Sequence, residues 1–289
     1  MMHEIKLRVG TFSYRVGSPW LAPIAALRRL YAGYPAPEDG IATVTARIGP
    51  PAPWRRWIRP QVAIEGDHSL PDTVPMALRH ALLAAEMAMN MQVALGERRH
   101  LLLHASAVER GGKALIMPGE SGSGKSTLAA LLGEAGWRLM ADEFVMIDLA
   151  SGMALPFPRA ISLKNSAIAE MAGRIADPSR FGPHLSATPK GELRHLRPNA
   201  EAISRMDEPA VPALILFPSF GFEAASDGVS RSELFMRLTE GSTNYVALGQ
   251  PGFEGLLRLA QSVPSARFAY PDSDTGIAIV EQFCAEAGL

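Results

Sequence analysis

A glycine-rich motif near the middle of the chain is the sequence feature that most constrains its fold. The pattern G-x-x-x-x-G-K-[ST] is met within the run Gly119, Glu120, Ser121, Gly122, Ser123, Gly124, Lys125, Ser126 and Thr127. Glycines let successive backbone N–H groups surround phosphate oxygens, and the helix that follows such a loop adds its positive N-terminal end. The motif therefore predicts that this run binds a nucleoside triphosphate, with Lys125 on the β- and γ-phosphates and Ser126 on Mg²⁺.

The segments around the motif predict an α/β nucleotide-binding domain. Apolar runs at His100–Val108 and Ala114–Met117 precede the loop, and a helix is expected over Lys125–Leu132. A pair of strands is expected next, at Trp137–Met140 and Phe144–Ile147. Strand, glycine loop, helix and strand in this order are typical of nucleotide-binding α/β proteins. We assign residues 98–289 to this domain, with a less regular stretch over 150–235 and helices near the end.

Residues 1–97 read as a smaller α+β domain at the N-terminus. The pattern predicts a strand over Ile5–Tyr14, a helix over Pro19–Tyr31 and a second strand over Ile41–Ile48. A long helix is expected over Thr73–Leu95, with Pro75 in its first turn, where the missing N–H costs nothing. Such a unit recognises a partner or has a purely structural role.

Composition excludes several classes of protein. The chain has 28 Lys and Arg against 29 Asp and Glu, a net charge of −1, whereas a generalist nucleic-acid binder carries a basic excess. Its one cysteine, Cys284, cannot form an internal disulfide or a zinc-binding pair, which fits a cytoplasmic protein. The most apolar stretch, Ala81–Leu95, is shorter than the ~20 residues that a membrane span needs and is interrupted by polar residues. We therefore expect neither nucleic acid nor membrane as a partner.

Two acids and a histidine lie where they could take part in chemistry. Asp142 and Glu143 follow a predicted strand, on the sheet edge where open α/β sheets bind ligands. One of them could orient Mg²⁺ while the other accepts a proton. Asp148, after the next apolar run, is an alternative metal-binding acid. His104 lies in an apolar strand, where it is either a hydrogen-bonded core residue or a group that orients the carboxylate.

Taken together, these segments resemble a known family. His104, the run 111–118, the glycine loop and the run 136–143 are similar to the core of HPr kinase/phosphorylase. More loosely, they resemble the HPr-kinase-related serine kinases of peptide-modification clusters. The resemblance is strong over about residues 100–148. It implies a phosphate-loop domain of the HPr-kinase/PEP-carboxykinase-like fold.

The resemblance also implies an activity. It points to Mg-ATP-dependent phosphorylation of a seryl hydroxyl on a protein or peptide, such as a small peptide-carrier protein. Carried over by position, Asp142 is the general base, His104 assists it, and Lys125 and Ser126 keep their nucleotide and Mg²⁺ roles. Glu143 stands where the family has a second Asp, and we assign it to the metal with Ser126. Family members are often oligomeric, so a homo-oligomer is a further expectation.

The sequence departs from the family at two other points. Ala105 replaces the glycine that follows the family's histidine. The family's downstream Glu-x-Arg-Gly-Leu-Gly signature, which supports the reverse phosphorylase reaction, is not found. These departures favour an enzyme that acts only as a kinase.

Two lysines outside the glycine motif are candidates for phosphate or substrate contacts. The chain has five lysines against 23 arginines, so each lysine is an uncommon choice. Lys164 and Lys190 lie in segments rich in Pro and Gly that are reminiscent of the related kinases. They could neutralise charge on a phosphoryl group in transfer, or they could be solvated loop residues.

Two alternatives to the protein or peptide kinase remain. One is a nucleotide switch or assembly ATPase with Asp148 as the acid at the metal and water as the nucleophile. The other is a kinase of a small hydroxylated metabolite, which needs a closed apolar pocket where a peptide kinase needs an open groove.

Overall fold

The first part of the chain forms a five-stranded sheet in the order β1-β2-β3-β4-β5. The computed structural model describes residues 2–69 and 73–289. The strands are β1 (His3–Val9), β2 (Phe12–Ser18), β3 (Val44–Gly49), β4 (Gln61–Gly66) and β5 (Met76–Ala77). Helix α1 (Leu21–Leu30) connects the parallel strands β2 and β3, and α2 (Ala81–Gly96) packs on β3 and β4. A 3₁₀ turn, Pro53–Arg56, lies between β3 and β4.

The prediction of one strand over Ile5–Tyr14 is wrong. The segment is a hairpin in which Val9 pairs with Phe12 across a turn at Gly10. Gly10 has φ +53°, and a Cβ there would lie 2.1 Å from the carbonyl oxygen of Pro156. The turn is therefore set by a contact from a distant part of the chain, which the alternation of side chains does not reveal.

The long helix is confirmed, but its predicted start is wrong. Helix α2 begins at Ala81 rather than Thr73, and Pro75 lies before a strand instead of in a first helical turn. Met76 and Ala77 pair with β4, and a 3₁₀ turn, Leu78–His80, leads into the helix. Pairing with a distant strand thus overrides the local helical pattern.

An eight-stranded sheet holds the glycine loop. Its path runs β10-β9-β6-β7-β14-β16-β15, and β8 also pairs with β6. The strands are β6 (His100–Arg110), β7 (Lys113–Pro118), β8 (Arg138–Ala141), β9 (Phe144–Asp148), β10 (Ala154–Leu155), β14 (Val211–Phe220), β15 (Ala225–Gly228) and β16 (Ser265–Tyr270). Strands β7, β14 and β16 are parallel neighbours, and the others pair antiparallel.

Helices cover both faces of this sheet. One face packs against α3 (Lys125–Glu134) and α9 (Ser273–Glu286), and the other against α6 (Arg231–Gly241) and α8 (Gln250–Ser262). The short helix α7 (Tyr245–Leu248) precedes α8. The described chain is therefore of the mixed α/β class, with several sheets.

The stretch 150–235 is more regular than its composition predicts. It contains a three-stranded antiparallel sheet in the order β11-β13-β12, built from β11 (Ile161–Lys164), β12 (Phe181–Thr188) and β13 (Gly191–Leu196). The helices α4 (Ser166–Arg174) and α5 (Ala200–Ser204) and a 3₁₀ turn, Pro178–Arg180, flank it. Several Pro and Gly residues lie inside the elements, among them Gly173 of α4, Pro183 of β12 and Gly191 of β13.

The hydrophobic core continues across residue 97. Tyr14, Ile24 and Met89 from the first part belong to the same buried cluster as Leu101 and Phe157 from the second. A second cluster lies beneath α3 and α9. No helix in the described part of the chain combines the length and apolar character needed to cross a bilayer.

Candidate functional site

The glycine loop connects the end of β7 to the start of α3, as its sequence predicts. Gly124, directly before the helix, has φ +94°. A Cβ at this position would lie 2.3 Å from the Tyr270 hydroxyl oxygen and 2.9 Å from Cβ of Phe220. Both the backbone conformation and the space therefore require glycine here. The first N–H groups of α3 have no partner within the helix, so this end carries partial positive charge.

Strand β6 places the loop and the acid pair next to each other. Its residue Ala105 pairs with Pro118, the last residue of β7, on one side. On its other side β6 pairs with both β8 and β9, which run in line and are interrupted only at Asp142 and Glu143. The backbone N–H of Ala105 donates to the Glu143 carbonyl at 3.3 Å. The strands predicted over Trp137–Met140 and Phe144–Ile147 are thus both present, and they lie end to end on the same side of β6.

Asp142 is buried beside the start of α3. Its side chain accepts a hydrogen bond from the Ser106 hydroxyl at 2.6 Å and one from the Ser162 backbone N–H at 3.4 Å. The residue is only 3% exposed. Burial raises the pKa of its carboxyl above the ordinary value, and the charge of Glu143 adds to this. The Ser106 and Ser126 hydroxyls and the Lys125 charge act against the rise.

Glu143 has an unusual backbone conformation. Its φ of +83° lies in the left-handed region, which costs a non-glycine residue about 1–3 kcal/mol. The Nδ1–H of His104 donates to the Glu143 carbonyl at 3.1 Å, and this Nδ1 lies 3.8 Å from Oε1 of Glu143. Burial lowers the pKa of His104, and the nearby Lys125 charge lowers it further. His104 therefore contacts Glu143 directly, whereas the sequence suggested contact with the general base.

Three of the five lysines meet at the loop. Lys125 is buried, and its Nζ donates to the Glu120 carbonyl at 3.2 Å. The Nζ of Lys164 donates to the Ser121 hydroxyl at 3.3 Å. Burial lowers the pKa of Lys125, the acid pair opposes this, and the charges of Lys164 and Lys190 add to the lowering. Three cations and two acids thus share this site, which suits a polyanionic ligand with a bound cation.

Backbone contacts hold Lys164 and Lys190 in place. Asn165, with φ +49°, exchanges hydrogen bonds with Glu192 through its backbone N–H and its side-chain oxygen. The Thr188 hydroxyl donates to the Gly191 carbonyl and accepts from the Lys190 N–H. Lys190 lines the same cavity as Asp142 and Glu143. Both lysines that composition singled out are therefore at the site, Lys164 at the end of β11 and Lys190 in the turn between β12 and β13.

Asp148 is not brought to the loop. It pairs with His100 at the far end of β9, four residues beyond Phe144, or about 13 Å along an extended strand. Its carboxylate accepts hydrogen bonds from the backbone N–H and hydroxyl of Ser151 at 2.8 and 2.6 Å. Both bonds go to Oδ2, and they lower the pKa of the carboxyl.

Sequence reasoning missed four contributors to the site. Ser106 lies two residues after His104, so the period of two in a strand puts both on one face. Phe220 and Tyr270 end the parallel strands β14 and β16 beside the loop, and their ring centroids are 5.5 Å apart. Helix α2, from the first part of the chain, lines the cavity that contains the acid pair, and no local signal marks this.

No protein-family model matches the chain, and no match is found among the curated proteins.

Within residues 2–69 and 73–289, no three His, Cys, Asp or Glu side chains are grouped so as to hold a metal ion. Mg²⁺ is commonly held by one or two carboxylates together with substrate phosphates and water. Ser126 with an acid of the pair 142–143 fits that mode of binding.

Proposed function

We propose that this chain is a Mg-ATP-dependent kinase that phosphorylates a seryl hydroxyl of a protein or peptide. The observation that supports it most is the buried carboxylate of Asp142, beside Ser126 and Lys125 at the start of the helix after the glycine loop. In this proposal residues 98–289 form a phosphate-loop domain of the HPr-kinase/PEP-carboxykinase-like fold, and residues 1–97 precede it as a smaller α+β unit.

The nucleotide would lie along the glycine loop. The backbone N–H groups of residues 119–126 and the start of α3 supply partial positive charge, and Lys125 supplies a full one. Lys164 adds a second cation at Ser121. Ser126 with Glu143 would hold Mg²⁺, which neutralises charge on the phosphates when bound. Donors fixed before the reaction stabilise the charge that spreads over the transferred group.

Asp142 would act as the general base. It takes the proton of the acceptor hydroxyl as the oxygen forms its bond to the γ-phosphorus, and the bond between that phosphorus and the bridging oxygen of ADP breaks. A general base works best when its pKa approaches the working pH, and burial moves the pKa of this carboxyl in that direction. Ser106 fixes the carboxylate through its hydrogen bond to Oδ1.

The alternative of a nucleotide switch depends on Asp148 at the metal. The position of Asp148 at the far end of β9, with Oδ2 of its carboxylate bonded to Ser151, gives that alternative no support.

The first test compares Asp142→Asn with the same change at Asp148. Candidate seryl proteins and peptides are incubated with ATP labelled in its γ-phosphate, and labelled acceptor is counted. We expect Asp142→Asn to lower the rate at least about 100-fold, the usual contribution of a general base, while ATP binding stays close to that of the wild type. Asp148→Asn should transfer at the wild-type rate. Transfer by Asp142→Asn at that rate, or an equal loss in both variants, would overturn the assignment.

A further inference from the structure

Helix α2 presents a half-buried stripe to the cavity beside the acid pair. Most of its side chains are buried, but Met87, Asn90, Met91 and Ala94 are half-exposed. Their spacing of i, i+3, i+4 and i+7 places them on one face of the helix. All four line a cavity of about 200 Å³ that Asp142 and Glu143 also line. We call this cavity the α2 pocket.

The size of the α2 pocket limits what it can hold. An apolar cavity of about 150 Å³ accepts a benzene molecule, whereas sites for drug-sized ligands begin at about 300 Å³. The pocket therefore holds a group about as large as one amino-acid residue. Because Asp142 is only 3% exposed, a group must enter the pocket to reach its carboxylate. A flat surface laid over the opening would not reach it.

A buried polar cluster also lines the pocket and is incompletely paired. Glu86, Arg159 and His195 are each at most 4% exposed, and each has a side-chain atom without a hydrogen-bond partner: Oε1, Nε and Nδ1 respectively. The other carboxylate oxygen of Glu86 bonds to Arg159 at 2.5 Å and accepts from the Tyr31 hydroxyl at 3.0 Å. Unpaired buried polar atoms are uncommon in folded proteins and call for an explanation.

The unpaired atoms indicate the chemistry of the missing partner. Glu86 offers an acceptor and Arg159 offers a donor, and their charges already neutralise each other. Burial lowers the pKa of His195, which keeps that ring neutral. The cluster itself therefore supplies no net counter-charge to a charged group buried against it, which makes such burial costly. A carboxamide presents one donor group and one acceptor and matches both free atoms without adding charge.

We propose that the α2 pocket binds the group that carries the acceptor hydroxyl, and that this group is an uncharged, carboxamide-bearing unit of about one residue. Its aliphatic part packs on Met87 and Met91, and its amide pairs with Glu86 and Arg159. Helix α2 thereby sets acceptor specificity for the proposed kinase reaction, on which this inference rests. A residue within a peptide and a free small amide share this chemistry.

Acceptor kinetics test the pocket in the full chain. The acceptors are N-acetyl-L-serine methylamide, a pentapeptide with a central serine, free L-serine and propane-1,2-diol. We expect a KM about tenfold lower or more for the two amide-bearing acceptors than for the other two. A lower KM for the pentapeptide assigns the natural acceptor to peptides, and a lower KM for the blocked serine assigns it to small molecules. Equal KM values for all four would overturn the proposal.

Two variants fill the pocket, and a matched variant does not. Met87→Trp and the milder Ala94→Leu should raise the KM for blocked serine about tenfold or more. Met236→Trp makes the same substitution at an exposed position of α6, outside the site, and should behave as the wild type. Folded Met87→Trp and Ala94→Leu with wild-type KM for the acceptor would overturn the proposal.

Binding without turnover separates this inference from the kinase assignment. Methyl groups of isotopically labelled methionine are followed by NMR while N-acetyl-L-serine methylamide is added to the wild-type protein. Shifts of the Met87 and Met91 signals, identified with Met→Leu variants, support the pocket even if no acceptor is phosphorylated. In that case the proposed kinase function fails and the binding site stands. Unchanged signals would overturn the pocket itself.

Discussion

Among single residues, Asp142 has a buried carboxylate that suits the proposed role of general base but lowers the stability of the fold when it is ionised. Its pKa is raised by burial and by the charge of Glu143, so ionisation is harder in the folded chain than in the unfolded chain. A raised carboxyl pKa means that the associated stability is complete at low pH and is lost as the pH rises through the folded-state pKa. At neutral pH the ionised carboxylate of Asp142, the proposed base, therefore lowers the free energy of unfolding.

Asp142→Asn should consequently stabilise the fold at pH 7 although it lowers the rate of the proposed phosphoryl transfer. Asparagine keeps an oxygen that accepts from Ser106 and removes the buried charge. Thermal unfolding at several pH values measures the difference in Tm between variant and wild type. We expect a higher Tm for the variant at pH 7, with a difference that shrinks as the pH falls toward the ordinary Asp value of 3.8. A lower Tm for the variant at pH 7 would show that Lys125 and the serines stabilise the carboxylate more than burial destabilises it.

The residue pattern predicted some of these neighbours and not others. The sequence predicts Asp142 near the glycine loop because each follows a strand. In the structure they are close because β7 and β8 lie on opposite sides of β6. Lys164 and Lys190 stood out because lysine is scarce in this chain. The contact of His104 with Glu143 depends on the left-handed backbone at Glu143, which a sequence pattern does not show.

At the scale of elements, the register of β6 on β8 rests on a buried ion pair. Glu109 faces Arg138 across the two strands, the atoms Oε2 and Nε are 2.5 Å apart, and both side chains are 1% exposed. The other oxygen of Glu109 accepts from the Gly112 N–H in the turn to β7. Losing Glu109 leaves the buried charge of Arg138, and losing Arg138 leaves Glu109 with only the more exposed Arg205, whose Nη2 lies 3.4 Å from Oε2. Breaking a buried ion pair in this way costs about 3–5 kcal/mol.

A double-mutant cycle tests this pair. Glu109→Gln and Arg138→Met should each lower the free energy of unfolding by about 3 kcal/mol, and the double variant should lose less than the sum because no charge is then left unpaired. Denaturant unfolding gives the four free energies. The exposed pair Glu4 and Arg15 offers the matched control, with an expected coupling much smaller than that of the buried pair because solvent screens its charges. Equal coupling in the two cycles would contradict the role given to Glu109 and Arg138.

Elements with a strong local signal were predicted from the sequence, and those defined by distant partners were not. Strand β7, the glycine loop and α3 have apolar runs and glycines that specify them locally. The strand Met76–Ala77 exists because β4 pairs with it, so the helical pattern around it was misleading. The sheet of β11, β12 and β13 is likewise held by long-range pairing, in a stretch whose composition favours loops.

In the molecule as a whole, residues 1–97 and residues 98–289 share one hydrophobic core and are joined by polar contacts. Phe12 packs edge-on against Phe157 with ring centroids 5.5 Å apart, and Arg159 forms its ion pair with Glu86 of α2. The side chain of Asn244 bonds to the backbone of Glu97 and of His100, on either side of the boundary at 97 and 98. The wall of the α2 pocket is thus fixed to the sheet that carries Asp142.

This shared core predicts that the full chain unfolds in one step. Removing residues 1–97 would expose apolar side chains such as Leu101 and Phe157 and leave the buried charge of Arg159 without Glu86, both of which are strongly destabilising. We expect calorimetry of the full chain to give equal calorimetric and van't Hoff enthalpies, and a fragment of residues 98–289 to show no cooperative transition. Two resolved transitions, or a cooperatively folding fragment, would instead mean that the proposed kinase domain is independent. Helix α2 would then be an attached specificity element and not part of one folding unit.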